Sequence, residues 1–90
     1  SMTIAESIED QTRQSIANIE DALARAGSSI RDVVRVTYIL PDASLFPRIW
    51  PVLRAAFAGA PPAATMLQAG LSDPRMKIEI EATAVIGRGM

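Results

Sequence analysis

Pro61-Pro62-Ala63-Ala64-Thr65-Met66, followed one turn later by Lys77-Ile78-Glu79-Ile80-Glu81-Ala82, decides the fold of this chain. Two adjacent prolines forbid helix, so the first segment leads into a strand at about 64–71. The second alternates apolar and charged residues, which predicts a strand from Met76 to Ile86. Side chains on a strand alternate with a period of two, so Glu79 and Glu81 fall on one face. Ser72-Asp73-Pro74-Arg75 lies between them and reads as a turn, which suggests a hairpin-like terminal pair.

Upstream, residues 4–26 read as an amphipathic helix. Thr3-Ile4-Ala5-Glu6 is a capping-box pattern, and Ile8, Thr12, Ile16, Ile19, Leu23 and Ala26 recur at helical steps. Gly27 is a left-handed stop. Val33-Val34-Arg35-Val36-Thr37-Tyr38-Ile39-Leu40 is the strongest strand, rich in β-branched residues. Val34, Val36, Tyr38 and Leu40 share one of its faces. Residues 45–58 read as a second helix capped by Asp42 or Ser44, with Phe46, Ile49, Trp50, Leu53 and Phe57 as its apolar stripe. Pro51 would clash with the carbonyl of Pro47, so a kink or a tighter turn is expected before it. Trp50 reads as a core anchor, with an interface or pocket role as the rival. Gly87-Arg88-Gly89-Met90 reads as a frayed tail. The order α-β-α-β-β predicts an α+β domain over 1–90, with two helices on one face of a mixed sheet.

Composition excludes several classes of function. The 90 residues suit one small domain, 49% hydrophobic, with a net charge of -1. Nine Lys and Arg are scattered, so no basic patch offers a nucleic-acid surface. There is no histidine and no cysteine. A Ser-His-Asp triad, a Cys-His pair, a disulfide framework and a thiolate metal site are all excluded. No apolar run approaches the ~20 residues of a membrane helix, and no signal peptide is visible. A soluble cytoplasmic domain is expected. Ser1 before Met2 reads as a cloning remnant.

These segments also resemble one family. Pro62-Ala63-Ala64-Thr65 followed by Ile78-Glu79-Ile80-Glu81-Ala82 is similar to the C-terminal part of the Rid (YjgF-type, reactive intermediate deaminase) proteins. Those are small homotrimers of chorismate-mutase-like fold, also labelled endoribonuclease L-PSP. Gln11-Thr12-Arg13-Gln14, Asn18-Ile19-Glu20 and Ala26-Gly27 resemble the family's first helix. Asp32-Val33-Val34-Arg35-Val36-Thr37 resembles its next strand, and Phe46 and Phe57 sit where its second helix carries aromatics.

The chain departs from the pattern in two places. The family begins with a β-hairpin of about 30–40 residues, a size suited to two strands plus loops. Here the sequence starts almost at the first helix. The expected consequence is an uncovered strand edge, that of Val33–Leu40, open to pairing with another subunit. Second, Ala64 stands where the family's deaminases carry an arginine that holds the substrate carboxylate. Arginine suits that task because its planar fork makes two charge-assisted bonds; alanine makes neither.

The resemblance assigns Glu79 as the carboxylate that positions the attacking water in imine hydrolysis, a sensible general base. The plainer reading of Glu79 and Glu81 is a solvated sheet face balanced by Lys77 and Arg75. Arg75 is either an exposed turn residue or a replacement for the lost arginine. Thr65 is either a β-favouring residue or a hydroxyl donor to ligand. Gln11-Thr12-Arg13-Gln14 is either a solvated helix face or a subunit boundary.

The resemblance therefore implies a small-metabolite site in an intersubunit cleft of a homotrimer. Its deaminase chemistry would be of the 2-iminobutanoate/2-iminopropanoate type: Glu79 activates water, and backbone amides near Ala64 and Thr65 hold the substrate. No cofactor is implied, and no membrane or nucleic-acid partner. The alternative is a non-catalytic ligand-binding or structural trimer that has lost the deaminase reaction. RNA cleavage finds no support, with no histidine, no basic stripe and four aromatics.

Overall fold

The computed structural model describes residues 6–87. The expected capping box at Thr3, the start of the chain and the tail beyond Gly87 lie outside them. Helix α1 spans Ile8–Arg25, strand β1 Val33–Leu40, helix α2 Phe46–Phe57, strand β2 Ala63–Gln68 and strand β3 Glu79–Ala84. Single turns of tighter helix, Ile30–Asp32 and Ala43–Leu45, precede β1 and α2.

Helix α1 starts later than its periodicity suggests. Ser7 is extended, and its side chain accepts from the Asp10 N–H at 3.1 Å. That bond satisfies one of the donors a helix start leaves free. At the other end Gly27 adopts φ 78°. The Ser28 N–H donates to the Leu23 carbonyl at 2.8 Å and the Gly27 N–H to that of Ala24 at 3.1 Å. This Schellman arrangement requires the left-handed residue that glycine supplies without strain.

The sheet runs β2-β1-β3, with β1 parallel to β2 and antiparallel to β3. Two expectations are corrected here. The last two strands do not form a hairpin, because β1 lies between them. The uncovered edge is therefore not that of Val33–Leu40, which is paired on both sides. The outer edges belong to β2 and β3. The physical reason lies in composition: the β-branched, most apolar strand gains most from a central, covered position. Every residue of β2, by contrast, is exposed.

Val36, Tyr38 and Leu40 point into the core, and Ile39 and Arg35 do not. Val33 breaks the alternation: it is fully buried, whereas Val34 is only half-buried. The register explains this. Val33 pairs with Ala84 and Arg35 with Thr83, so β1 spends two residues against one of β3. A bulge of this kind shifts the side-chain parity.

Both helices cover the same face of the sheet. Ile8 and Ile16 from α1, with Ile49, Leu53 and Phe57 from α2, close the core over Val36, Tyr38, Leu40 and Ile78. Burying each large side chain stabilises by roughly 1.5–3 kcal/mol. Helix α2 continues through Pro51 without a change of helix type. The tight turn expected before Pro51 is instead Ala43–Leu45, ahead of the helix. Pro47 and Pro51 are both exposed, so water can reach the carbonyl that Pro51 leaves without its helical donor. Glu9 and Arg48 tie the helices together by a two-pronged ion pair of 2.8 and 3.1 Å. The guanidinium holds the Glu9 carboxyl below its ordinary range.

The Gln11-Thr12-Arg13-Gln14 run divides by depth rather than forming one solvated face. Gln11 and Thr12 are buried, and Arg13 and Gln14 are exposed. The Thr12 hydroxyl donates back to the Ile8 carbonyl at 2.7 Å. Gln11 reaches the segment before β3: its amide nitrogen donates to the Arg75 carbonyl at 2.9 Å, and its oxygen accepts from the Lys77 N–H at 2.8 Å.

Candidate functional site

Strand register sorts the candidate residues onto two faces. Paired residues on neighbouring strands point to the same side of a sheet. Ile39 pairs with Leu67 and with Glu79, Thr37 with Thr65 and Glu81, and Arg35 with Ala63 and Thr83. These nine residues form the face that carries no helix. Val36 pairs with Ala64 and Ala82, and Tyr38 with Met66 and Ile80. These belong to the helix side.

Glu79 and Glu81 thus share the open face with Thr65, as period two predicted for the pair, and both are exposed. Thr65 lies two strand spacings from Glu81, roughly 10 Å across β1. Ala64 faces the opposite way. One chain therefore keeps Glu79 and Ala64 on opposite sides of its sheet.

The balancing cations expected for Glu79 and Glu81 are engaged elsewhere. Lys77 donates its ammonium to the Glu6 carbonyl. Arg75 is clasped by Asp73 through bonds of 3.1 and 2.7 Å, and the Arg75 N–H also donates to Asp73 at 2.9 Å. Arg75 is thus fixed in the turn by an ion pair of its own. These donors hold the Asp73 carboxyl down at about 2 from an ordinary 3.8. A depressed carboxyl stabilises the fold fully above its unfolded value and loses that contribution as pH falls through its folded value. The window is pH 3.8 down to about 2. Asp73→Asn should therefore melt below the parent at neutral pH, with the gap shrinking through that window. Melting curves from about pH 5 to about pH 2 check this, and a constant gap would contradict it. The pair is exposed, so the gap is small.

On the helix side, α2 and β2 border a half-open, mostly apolar cavity of about 650 Å³. Tyr38, Trp50, Arg54, Phe57, Pro62 and Ala64 are among its lining residues. Trp50 is 47% exposed, so it is a wall of this cavity rather than the expected core anchor. It ends an aromatic row in which Tyr38 and Phe46 lie 5.9 Å apart and Phe46 and Trp50 6.0 Å apart. Such tilted pairs favour edge-to-face contact. Tyr38 is 3% exposed, and burial raises its phenol above the ordinary value. Arg54 was not singled out by sequence; its i,i+4 spacing from Trp50 was the available signal. Among the described residues, no cluster of His, Cys, Asp and Glu is placed to hold a metal ion. No helix there is long and apolar enough to cross a membrane.

A family model described as Endoribonuclease L-PSP matches residues 1–86. A RutC family protein of Pyrococcus horikoshii is 38% identical over 86% of this chain and 61% of its own length. The 2-iminobutanoate/2-iminopropanoate deaminase of Mus musculus is 30% identical over 87% of this chain and 58% of its own length. Among solved structures, Rv2704 of Mycobacterium tuberculosis, of the YjgF/YER057c/UK114 family, superposes with a TM-score of 0.88. It is 34% identical, with 91% of this chain and 70% of that one covered. The chain belongs to the YjgF/Rid (endoribonuclease L-PSP) family, and its two helices on a three-stranded mixed sheet are the fold of that family. It spans 44–64% of the length of the curated relatives it matches.

Proposed function

We propose that this chain binds a small metabolite in a cleft between subunits of a homotrimer and hydrolyses imine or enamine intermediates there to a ketone and ammonia. The observation that carries the reading is the placement of Glu79, exposed and without an ion-pair partner among the described residues, in a family with relatives named as deaminases. Glu79 would take a proton from water as the water oxygen bonds to the imine carbon. That proton passes to the imine nitrogen to give a carbinolamine; its hydroxyl proton then moves to the amino nitrogen as the C–N bond breaks, and ammonia leaves with the ketone. A carboxylate in hydrogen-bond reach of that water is a suitable base. Backbone amides near Ala64 and Thr65 would hold the substrate carbonyl or carboxylate.

The opposed faces of Glu79 and Ala64 favour a shared site. Residues on two sides of one sheet meet around a ligand only when a second copy supplies one of them. Leu67, 49% exposed on the open face of an edge strand, and Met66 at 40% favour the same assembly. Sedimentation equilibrium at micromolar concentration should give three times the chain mass; a stable monomer would contradict the shared cleft. Ammonia release from 2-iminobutanoate generated in situ tests the chemistry, and turnover at the uncatalysed level would remove it. Ala64 favours the second reading, a trimer that binds the same class of ligand without turnover. Ligand-induced thermal stabilisation with no ammonia release would support that one.

A further inference from the structure

From the cavity between α2 and β2 we infer that Arg54 and Tyr38 form the carboxylate-binding pair of this chain, taking from the opposite wall the task that Ala64 cannot perform. The inference deepens the proposed function and rests on its small-ligand reading. The ligand class, a small 2-oxo or 2-imino monocarboxylate, comes with that reading; the residues of this chain that would hold it are what is inferred.

Three observations carry it. The cavity is mostly apolar, and Arg54 is the one fully charged group among its lining residues. Arg54 is exposed and makes no ion pair with any described carboxylate. Arg48 and Arg75, by contrast, are engaged by Glu9 and Asp73. An unengaged guanidinium at the rim of an apolar cavity presents its fork to a planar anion, where two parallel charge-assisted bonds form.

Tyr38 is the second polar group. It is 97% buried, being 3% exposed. Its hydroxyl has no hydrogen-bond partner among the described residues, yet no side-chain oxygen there is sealed and unsatisfied. Tyr38 lines the cavity, and its hydroxyl oxygen is not sealed from solvent. A buried phenol without a partner is uncommon, because burial without a bond is costly. A carboxylate or keto oxygen of the ligand would accept from it. Burial keeps this phenol protonated at neutral pH, so it is a donor.

The rest of the wall suits the rest of the ligand. Trp50, Phe57 and Pro62 offer flat apolar surface, and Ala64 leaves the space that a longer side chain would fill. The loss of arginine at position 64 thus coincides with an arginine reaching the same cavity from α2. Trp50 is the single tryptophan of the chain, so its indole N–H gives one NMR signal that reports directly on the site.

Titration of the full chain with 2-oxobutanoate, the stable ketone counterpart of the imine, tests the inference. The Trp50 indole signal should shift saturably. Arg54→Gln should weaken binding by about tenfold or more, the loss expected for one charge-assisted pair. Arg54→Lys should recover part of it, Tyr38→Phe should weaken it less, and 2-oxobutanamide should bind the parent no better than it binds Arg54→Gln. Equal affinity of parent and Arg54→Gln, or no saturable shift in the parent, would overturn the assignment. The parent itself separates the two readings: saturable 2-oxobutanoate binding that Arg54→Gln weakens, with no ammonia released from 2-iminobutanoate, removes the hydrolysis and leaves the Arg54 site standing.

Discussion

Glu79→Gln is expected to lower ammonia release from 2-iminobutanoate by about 10²–10⁴-fold, the usual contribution of a positioned general base. Glutamine keeps the shape and polarity of the side chain but accepts no proton at neutral pH. Glu79 is exposed on the helix-free face of β3. Its replacement should therefore leave stability within about 0.5 kcal/mol of the parent. Thermal melting beside the activity assay separates lost chemistry from lost fold. Glu81→Gln is the matched control: it occupies the same face two residues along, opposite Thr37 rather than Ile39. It should retain most of the activity. Unchanged turnover in Glu79→Gln, or equal losses in both variants, would remove Glu79 from the role of base.

The asymmetry between those two glutamates also marks how far sequence alone reaches. Their sharing of a face follows from strand periodicity and was legible at once. Which side of the sheet that face would be was not legible, because parity along one strand says nothing about the next. Only the pairings of Ile39 with both Leu67 and Glu79, and of Val36 with both Ala64 and Ala82, separate Glu79 from Ala64. The run of β-branched residues marked β1 as a strand but not as the central one, since its edge was expected to lie uncovered. The chain order of β2 and β3 also suggested a hairpin, since consecutive strands usually neighbour one another.

Other departures have equally local causes. A bulge between Val33 and Arg35 buries Val33 against the alternation of its strand. Trp50 follows the helical stripe of Ile49 and Leu53, yet one residue step turns a side chain by about 100° at 3.6 residues per turn. That step carries Trp50 from the core to the rim of the cavity. Arg54 shares that flank one turn later and looked like any solvated cation. Only the cavity beside it gives it a candidate role.

The segment that delivers β3 depends on one buried amide, so Gln11→Ala should destabilise the fold by about 2–4 kcal/mol, as two backbone groups each lose a partner at the lower end of about 1–3 kcal/mol, Arg75 and Lys77 being exposed to water. Gln11 is 8% exposed and bridges 64 and 66 residues of sequence separation, to the Arg75 carbonyl and the Lys77 N–H. Nothing in a pattern of helical periodicity announces this, since a polar residue at that position reads as solvated. Its amide is matched to the task because it carries a donor and an acceptor at the same end. Glutamate at position 11 would supply the acceptor for Lys77 but place a second oxygen against the Arg75 carbonyl, so Gln11→Glu should be at least as harmful as alanine at neutral pH. Chemical denaturation of the two variants measures both losses. Hydrogen exchange locates them: the Lys77 amide should lose its protection in Gln11→Ala beyond the change in global stability. Because Ile78 is buried immediately before Glu79, a loosened Arg75–Lys77 segment also frees the start of β3. Activity in Gln11→Ala should then fall with the fraction of chains that keep β3 in register, and a variant that melts and exchanges like the parent would show that the bridge to α1 contributes nothing.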